Sequence, residues 1–146
     1  MQNVFYIFIA VLMGIIISIY LPMNSSVSRY LGSVFTANIT FFLVALITSI
    51  LLFLIFGEFN TIYFIKNVPP YLYLTGFVSA FIVLGTTFLI PHLGARNLFI
   101  FVVSGQILMA VIVSHFGILE SPEDPITFKK ICGAILVVCG AYVSSS

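Results

Sequence analysis

Gln106 sits near the middle of an apolar run, beside Gly105, and an amide in that setting has two chemical uses. A polar group in hydrocarbon is costly unless partnered, so it either joins helices or lines a wet path. In the first use Gln106 bonds a neighbouring helix for about 0.6–2 kcal/mol. In the second it bonds a solute, which Gly105 lets approach closely. Asn24 and Asn38 carry a similar pair of readings. They flank Pro22 and the start of the second apolar run, where an interrupted helix would expose backbone groups to a solute. Alternatively they cap helix ends at the interface, Asn38 lying a full turn inside. Tyr20 shares the first run with Tyr6 and Ser18, and its ring would stack on a cationic or aromatic solute or simply mark the boundary. Ser79 adds a hydroxyl to the third run. Gln106, Asn24, Asn38, Tyr20 and Ser79 are therefore the candidate substrate-binding residues.

His115, near the end of the fourth run, is the candidate proton-sensitive group, because histidine exchanges a proton near neutral pH. Its other reading is an interfacial structural residue with no acid beside it. His92 falls next to Pro91 in an expected loop, and Glu58, following Gly57 at a helix end, is expected to face headgroups. Catalysis has no support in the sequence. It holds no carboxylate pair, no His/Cys/Asp cluster with metal spacing, no phosphate loop and no nucleophile with a neighbouring base. No cofactor is implied, and the chain reads as a non-enzyme. Cys132 and Cys139 are seven residues apart, about 10 Å along a helix, too far for a bond between them.

The elements that must hold these groups follow from the charges. Only nine of 146 residues are Asp, Glu, Lys or Arg, 6% against 62% hydrophobic, where a soluble domain carries about a quarter charged residues. Between Arg29, Glu58, Lys66, Arg96, Glu120, Glu123, Asp124, Lys129 and Lys130 lie five stretches near the ~20 residues that cross a bilayer core as a helix. The expected spans are about 4–21, 34–56, 71–90, 97–116 and 128–143, forming a single transmembrane domain over 1–146 and an all-α bundle. Hydrocarbon tolerates no unpaired backbone, and a barrel would need alternating strands of about ten residues.

Pro22 with Asn24-Ser25-Ser26 is expected to end or kink the first span, leaving Arg29 and Tyr30 in a short link. Pro91 is expected to stop the third, and Gly117 the fourth. The first span has no basic n-region and is too long for a signal peptide, so it is expected to stay as a helix. Small residues Gly76, Ser79 and Ala80 share one face of the third span, with Gly85, Thr86 and Thr87 further along, and Gly133 and Gly140 repeat on the fifth. With Gly105, Gly76, Ala80, Gly133 and Gly140 are the expected helix-packing positions. The net charge of +1 argues against nucleic acid, which needs clustered Lys and Arg.

An odd number of spans puts Lys66 and Lys129-Lys130 with the amino terminus on one side and Arg29 and Arg96 on the other. Three basic residues against two barely bias insertion. Both orientations with antiparallel pairing, or one orientation with the amine end inward, fit equally. Five helices enclose a solute poorly, whereas two inverted copies supply ten helices and a midplane cavity.

In order along the chain, Asn24, Arg29-Tyr30-Leu31-Gly32-Ser33, Pro70 to Gly76, Pro91-His92-Leu93-Gly94, Gly105-Gln106, His115-Phe116-Gly117 and Lys130-Ile131-Cys132-Gly133 with Gly140 form a series. In this series the chain resembles the YdcZ-like branch of the drug/metabolite transporter superfamily, small bacterial membrane proteins of about five spans. It departs from that pattern at Tyr20, where a glutamine is usual, at Ser114, where an aspartate is usual, and at Thr75-Gly76, where glycines are paired. The resemblance implies a multi-pass inner-membrane protein with the fold of half a ten-span transporter. Proton-driven exporters of the superfamily use a carboxylate in the first span, and Val4 to Leu21 has none, so transport would use another coupling group or facilitated diffusion.

The reading that follows is a homodimeric transporter protomer, contacting lipid and its own copy, that moves a small uncharged or amphipathic solute. The alternative is an accessory or structural membrane subunit that docks a partner through its small-residue faces.

Overall fold

The computed structural model describes residues 2–118 and 121–145, with the side chains of residues 2 and 3 left aside. Glu120, part of the acidic loop, lies outside the described residues. Five α-helices follow one another: α1 Gln2–Leu31, α2 Val34–Phe56, α3 Leu74–Leu93, α4 Ala95–Phe116 and α5 Phe128–Ser145. Two 3-10 helices, Phe59–Asn67 and Pro70–Tyr73, connect α2 to α3. All five α-helices are long and apolar enough to cross a membrane, and the described residues contain no strand. The chain is an all-α membrane protein.

It divides into two compact units, Met1–His92 and Leu93–Ser146. In the first, α1 packs along α2; in the second, α4 packs along α5. Large apolar side chains such as Phe8, Ile15, Leu52, Phe77, Met109 and Leu136 point outward. Much of what is buried is small or polar: Ala37, Val83, Asn24, Ser25, Ser28, Thr86 and Thr87 in the first unit, Ala141 and Ser104 in the second. That inversion fits lipid as the solvent, since acyl chains accept Leu and Phe and small residues let helices approach.

Two expected helix ends are corrected. Neither Pro22 nor the polar residues behind it stop α1, which continues to Leu31 and takes in Arg29 and Tyr30 as its last turn. The polar residues are accommodated because the serines return their hydroxyls to the helix. Ser26 Oγ donates to the Pro22 carbonyl at 3.1 Å and Ser28 Oγ to the Ser25 carbonyl at 2.7 Å. The break comes at Gly32, whose φ of 67° is a left-handed conformation that costs other residues about 1–2 kcal/mol. Ser33 then caps α2, accepting from the Thr36 amide at 3.3 Å.

Pro91 likewise lies inside α3, and His92 is in its final turn rather than in a loop. Proline has no N–H for the carbonyl four residues back, which here belongs to Thr87. Ser25 Oγ of α1 donates to that carbonyl at 3.2 Å. His92 Nδ1 meets the Phe88 carbonyl at 2.8 Å, and Gly94, at φ 76°, separates α3 from α4.

In the second unit Gly117 ends α4. The segment before α5 is tied back by Asp124 N–H to the Ser114 carbonyl at 2.8 Å and by the Lys130–Asp124 ion pair. α5 runs on to Ser145, past the expected end of the span at residue 143. The Arg96 guanidinium donates to the Ser144 carbonyl and, at 3.1 Å, to Ser144 Oγ, serving backbone acceptors that a helix end leaves open.

Candidate solute site

Tyr20, Met23, Asn24 and Val27 recur at the spacing that puts them on one face of α1. Opposite them Thr40, Phe41, Val44 and Ala45 of α2 complete a groove of ≈540 Å³, within the usual range for small-molecule sites, about 300–1,000 Å³. Its walls are mainly apolar. Tyr20 stacks on Phe41 with ring centroids 5.9 Å apart and planes inclined by 21°, and Phe41 meets Phe42 edge-on at 5.2 Å. Thr40 Oγ1 donates to the Ala37 carbonyl at 2.9 Å, inside its own helix.

Asn24 supplies the groove's amide, and its orientation is fixed from behind. Nδ2 donates to Thr87 Oγ1 at 2.7 Å. Thr87 is 0% exposed, and its carbonyl accepts from Ser25 as described above. Two adjacent residues of α1 thus meet both oxygens of one threonine on α3. The bond to Thr87 occupies one N–H of the amide, and Oδ1 remains an acceptor.

Asn24 caps no helix end, because α1 runs past it. Asn38 is no cap either: Ser33 holds that place, and Asn38 Oδ1 is buried without a hydrogen-bond partner among the described residues. A buried acceptor left so costs about 1–3 kcal/mol. Ser79, half-buried on α3, gives its hydroxyl to the Gly76 carbonyl at 2.8 Å. His115 Nδ1 accepts from the Ile126 amide at 3.1 Å, and its ring lies against Phe116. The imidazole thereby fastens the segment that leads into α5.

Gln106 is exposed on α4 and has no bonded neighbour among the described residues. A Cβ placed at Gly76, Gly105, Gly133 or Gly140 would meet nothing within 4 Å. Within its own unit none of these glycines is in close contact with the described residues; Ala80 is half-buried. The structure therefore brings Tyr20 and Asn24 together and adds Thr40, Phe41 and Thr87 to them. Within the first unit it leaves Ser79 and Asn38 outside the groove lining, while Gln106 and His115 belong to the second unit. Thr87 had a readable signal, since it stands four residues before a proline inside an apolar run. Phe41, one of sixteen phenylalanines, had none.

No group of three or more His, Cys, Asp or Glu side chains able to hold a metal occurs among the described residues. Five membrane-length helices define an integral membrane protein, and within the first unit a polar node joins α1 to α3. The sequence profile described as "Putative inner membrane exporter, YdcZ" matches residues 5–143. The chain belongs to that family. It is accordingly a multi-pass inner-membrane protein of an exporter family, which is not an enzyme class. No curated protein and no solved structure matches it.

Proposed function

We propose that the chain is one protomer of an exporter for a small uncharged or amphipathic solute, and that the α1–α2 groove is where the solute binds. The observation that carries this is the amide of Asn24, fixed by a buried threonine at the edge of an aromatic groove of ≈540 Å³. An apolar pocket with few, well-held polar groups is the usual form of a small-molecule site. No charged side chain lines this groove, which favours an uncharged or amphipathic solute over a strongly charged one. In this reading Asn24 Oδ1 accepts from the solute and Tyr20 and Phe41 hold its apolar part.

The protomer works as an antiparallel homodimer, inserted both ways and forming a ten-helix bundle in which both units of each chain act as one transmembrane domain. Gln106 and the open glycine faces support this part. An exposed amide at mid-helix needs a partner in hydrocarbon, and a face with no Cβ contacts admits another helix. There Gln106 reaches the solute path, Asn38 Oδ1 finds its donor in another state of the cycle, Ser79 borders the path, and His115 is the proton-sensitive group.

Thermal-shift screening of the purified protein against metabolites and lipophilic cations identifies the solute, and efflux from proteoliposomes tests the site. Asn24→Ala is expected to lower the rate at least about tenfold, the equivalent of one good hydrogen bond, with the dimer intact. Gln106→Ala is expected to lower it as well. Unchanged rates in both variants would remove the groove and Gln106 from the path. Gly105→Leu is expected to shift the protein to monomer in mild detergent. A stoichiometric foreign partner in place of a self-dimer would instead establish the accessory role.

A further inference from the structure

The carboxyl end of α1 holds a second, smaller cleft unlike the first. Ser26, Arg29 and Tyr30 line a space of ≈360 Å³. The geometry points to a binding site for a phosphate group there, one carried by an anionic lipid.

Depth comes first. α1 has 30 residues, about 45 Å at 1.5 Å per residue, against a hydrocarbon core of about 30 Å. Its last turn therefore stands among headgroups, where the phosphates are.

The arginine is aimed and incompletely used. Arg29 Nη2 donates to Ser26 Oγ at 3.0 Å, and that hydroxyl spends its own proton on the Pro22 carbonyl at 3.1 Å. Ser26 is thus fixed as an acceptor and anchors one corner of the guanidinium. A guanidinium has five N–H donors in a planar fork that fits phosphate oxygens two at a time, so most of the fork is left for a ligand. Attraction to the carboxyl end of the α1 dipole favours positive charge here but consumes none of those donors.

Nothing in the first unit neutralises that charge. Its one acid is Glu58, just past the far end of α2, and 23 helical residues separate the two ends, about 34 Å. The ion pair among the described residues is Lys130–Asp124, elsewhere. Tyr30 is 92% exposed and offers a phenol beside the guanidinium, with a ring that can lie against glycerol and upper acyl carbons. An unpaired cation, a phenol and an oriented hydroxyl at headgroup depth suit a phosphodiester with net negative charge. They suit a zwitterionic headgroup less, because its ammonium would compete for the same anion.

Native mass spectrometry of the full chain, released from detergent with phosphatidylglycerol or with phosphatidylcholine, tests the site. The wild type is expected to retain phosphatidylglycerol in preference to phosphatidylcholine. Arg29→Gln should lower that retention about tenfold, as for one charge-assisted bond pair, and Arg29→Lys should restore part of it. Arg96→Gln, an exposed arginine on the other unit, should leave it unchanged. Inorganic phosphate at millimolar concentration decides the source: displacement of the lipid means that the cleft takes the free anion, and no displacement means that it needs the lipid. Equal retention by wild type and Arg29→Gln, or equal loss in Arg96→Gln, would overturn the assignment. If Arg29→Gln is not monodisperse, Tyr30→Phe and Ser26→Ala carry the same comparison, and full retention in both overturns it too.

Discussion

Thr87→Val is expected to lower the unfolding free energy by about 1–3 kcal/mol in detergent or bicelles. The two side chains have nearly the same shape, so packing changes little. What changes is Asn24, whose Nδ2 loses the acceptor it holds at 2.7 Å while remaining 6% exposed. Two magnitudes compete here. Interhelical hydrogen bonds in membranes average about 0.6 kcal/mol and reach about 1.7, whereas stranding a buried donor costs about 1–3. The second governs, because Thr87→Val deletes one partner and leaves the other with no water to turn to. Asn24→Ala combined with Thr87→Val should therefore cost less than the sum of the single changes, since no donor is then stranded. Strict additivity, or a neutral Thr87→Val, would show that the pair contributes nothing to holding α1 on α3.

The second large effect concerns Ser25. Its hydroxyl serves the Thr87 carbonyl at 3.2 Å, which lacks a helical donor only because residue 91 is proline. Ser25→Ala is expected to destabilise the protein by about 1–3 kcal/mol, the cost of an orphaned buried acceptor. Pro91→Ala returns an N–H to that carbonyl. In the Pro91→Ala background the cost of Ser25→Ala should shrink to a few tenths of a kcal/mol, the ordinary size of independent effects. The comparison is between the two Ser25→Ala penalties, so any general gain from removing a mid-helix proline cancels. An equal penalty in both backgrounds would separate Ser25 from the proline.

Much of the architecture is written in runs of apolar residues, because a bilayer leaves a chain few ways to satisfy its backbone. The extent of α2 and α4 could be read almost to the residue, with Gly57 and Gly117 as visible ends. Pro22 and Pro91 both misled. A proline's missing bond is a local deficit, but for Pro91 its remedy lies elsewhere: the orphaned Thr87 carbonyl is served by Ser25 of another helix, 62 residues before Thr87. Of the candidate site, Tyr20 and Asn24 were legible as polar or amphipathic groups in an apolar run. Phe41 was one apolar residue among many, and Thr87 read as part of a small-residue face. Gln106 stood out most in the sequence, yet among the described residues it is exposed and has no bonded neighbour, since a residue's polarity says nothing of what stands opposite it.

The node also dictates an order of events during synthesis. Asn24 and Ser25 emerge with the first helix, but Thr87, 63 residues after Asn24, arrives only with the third. Until then the first two helices form a provisional hairpin with a polar edge that nothing covers. Ser26 and Ser28 silence their own hydroxyls on the nearby backbone, while Asn24 and Ser25 stay uncommitted. Arrival of the third helix is what closes the hairpin into a finished unit.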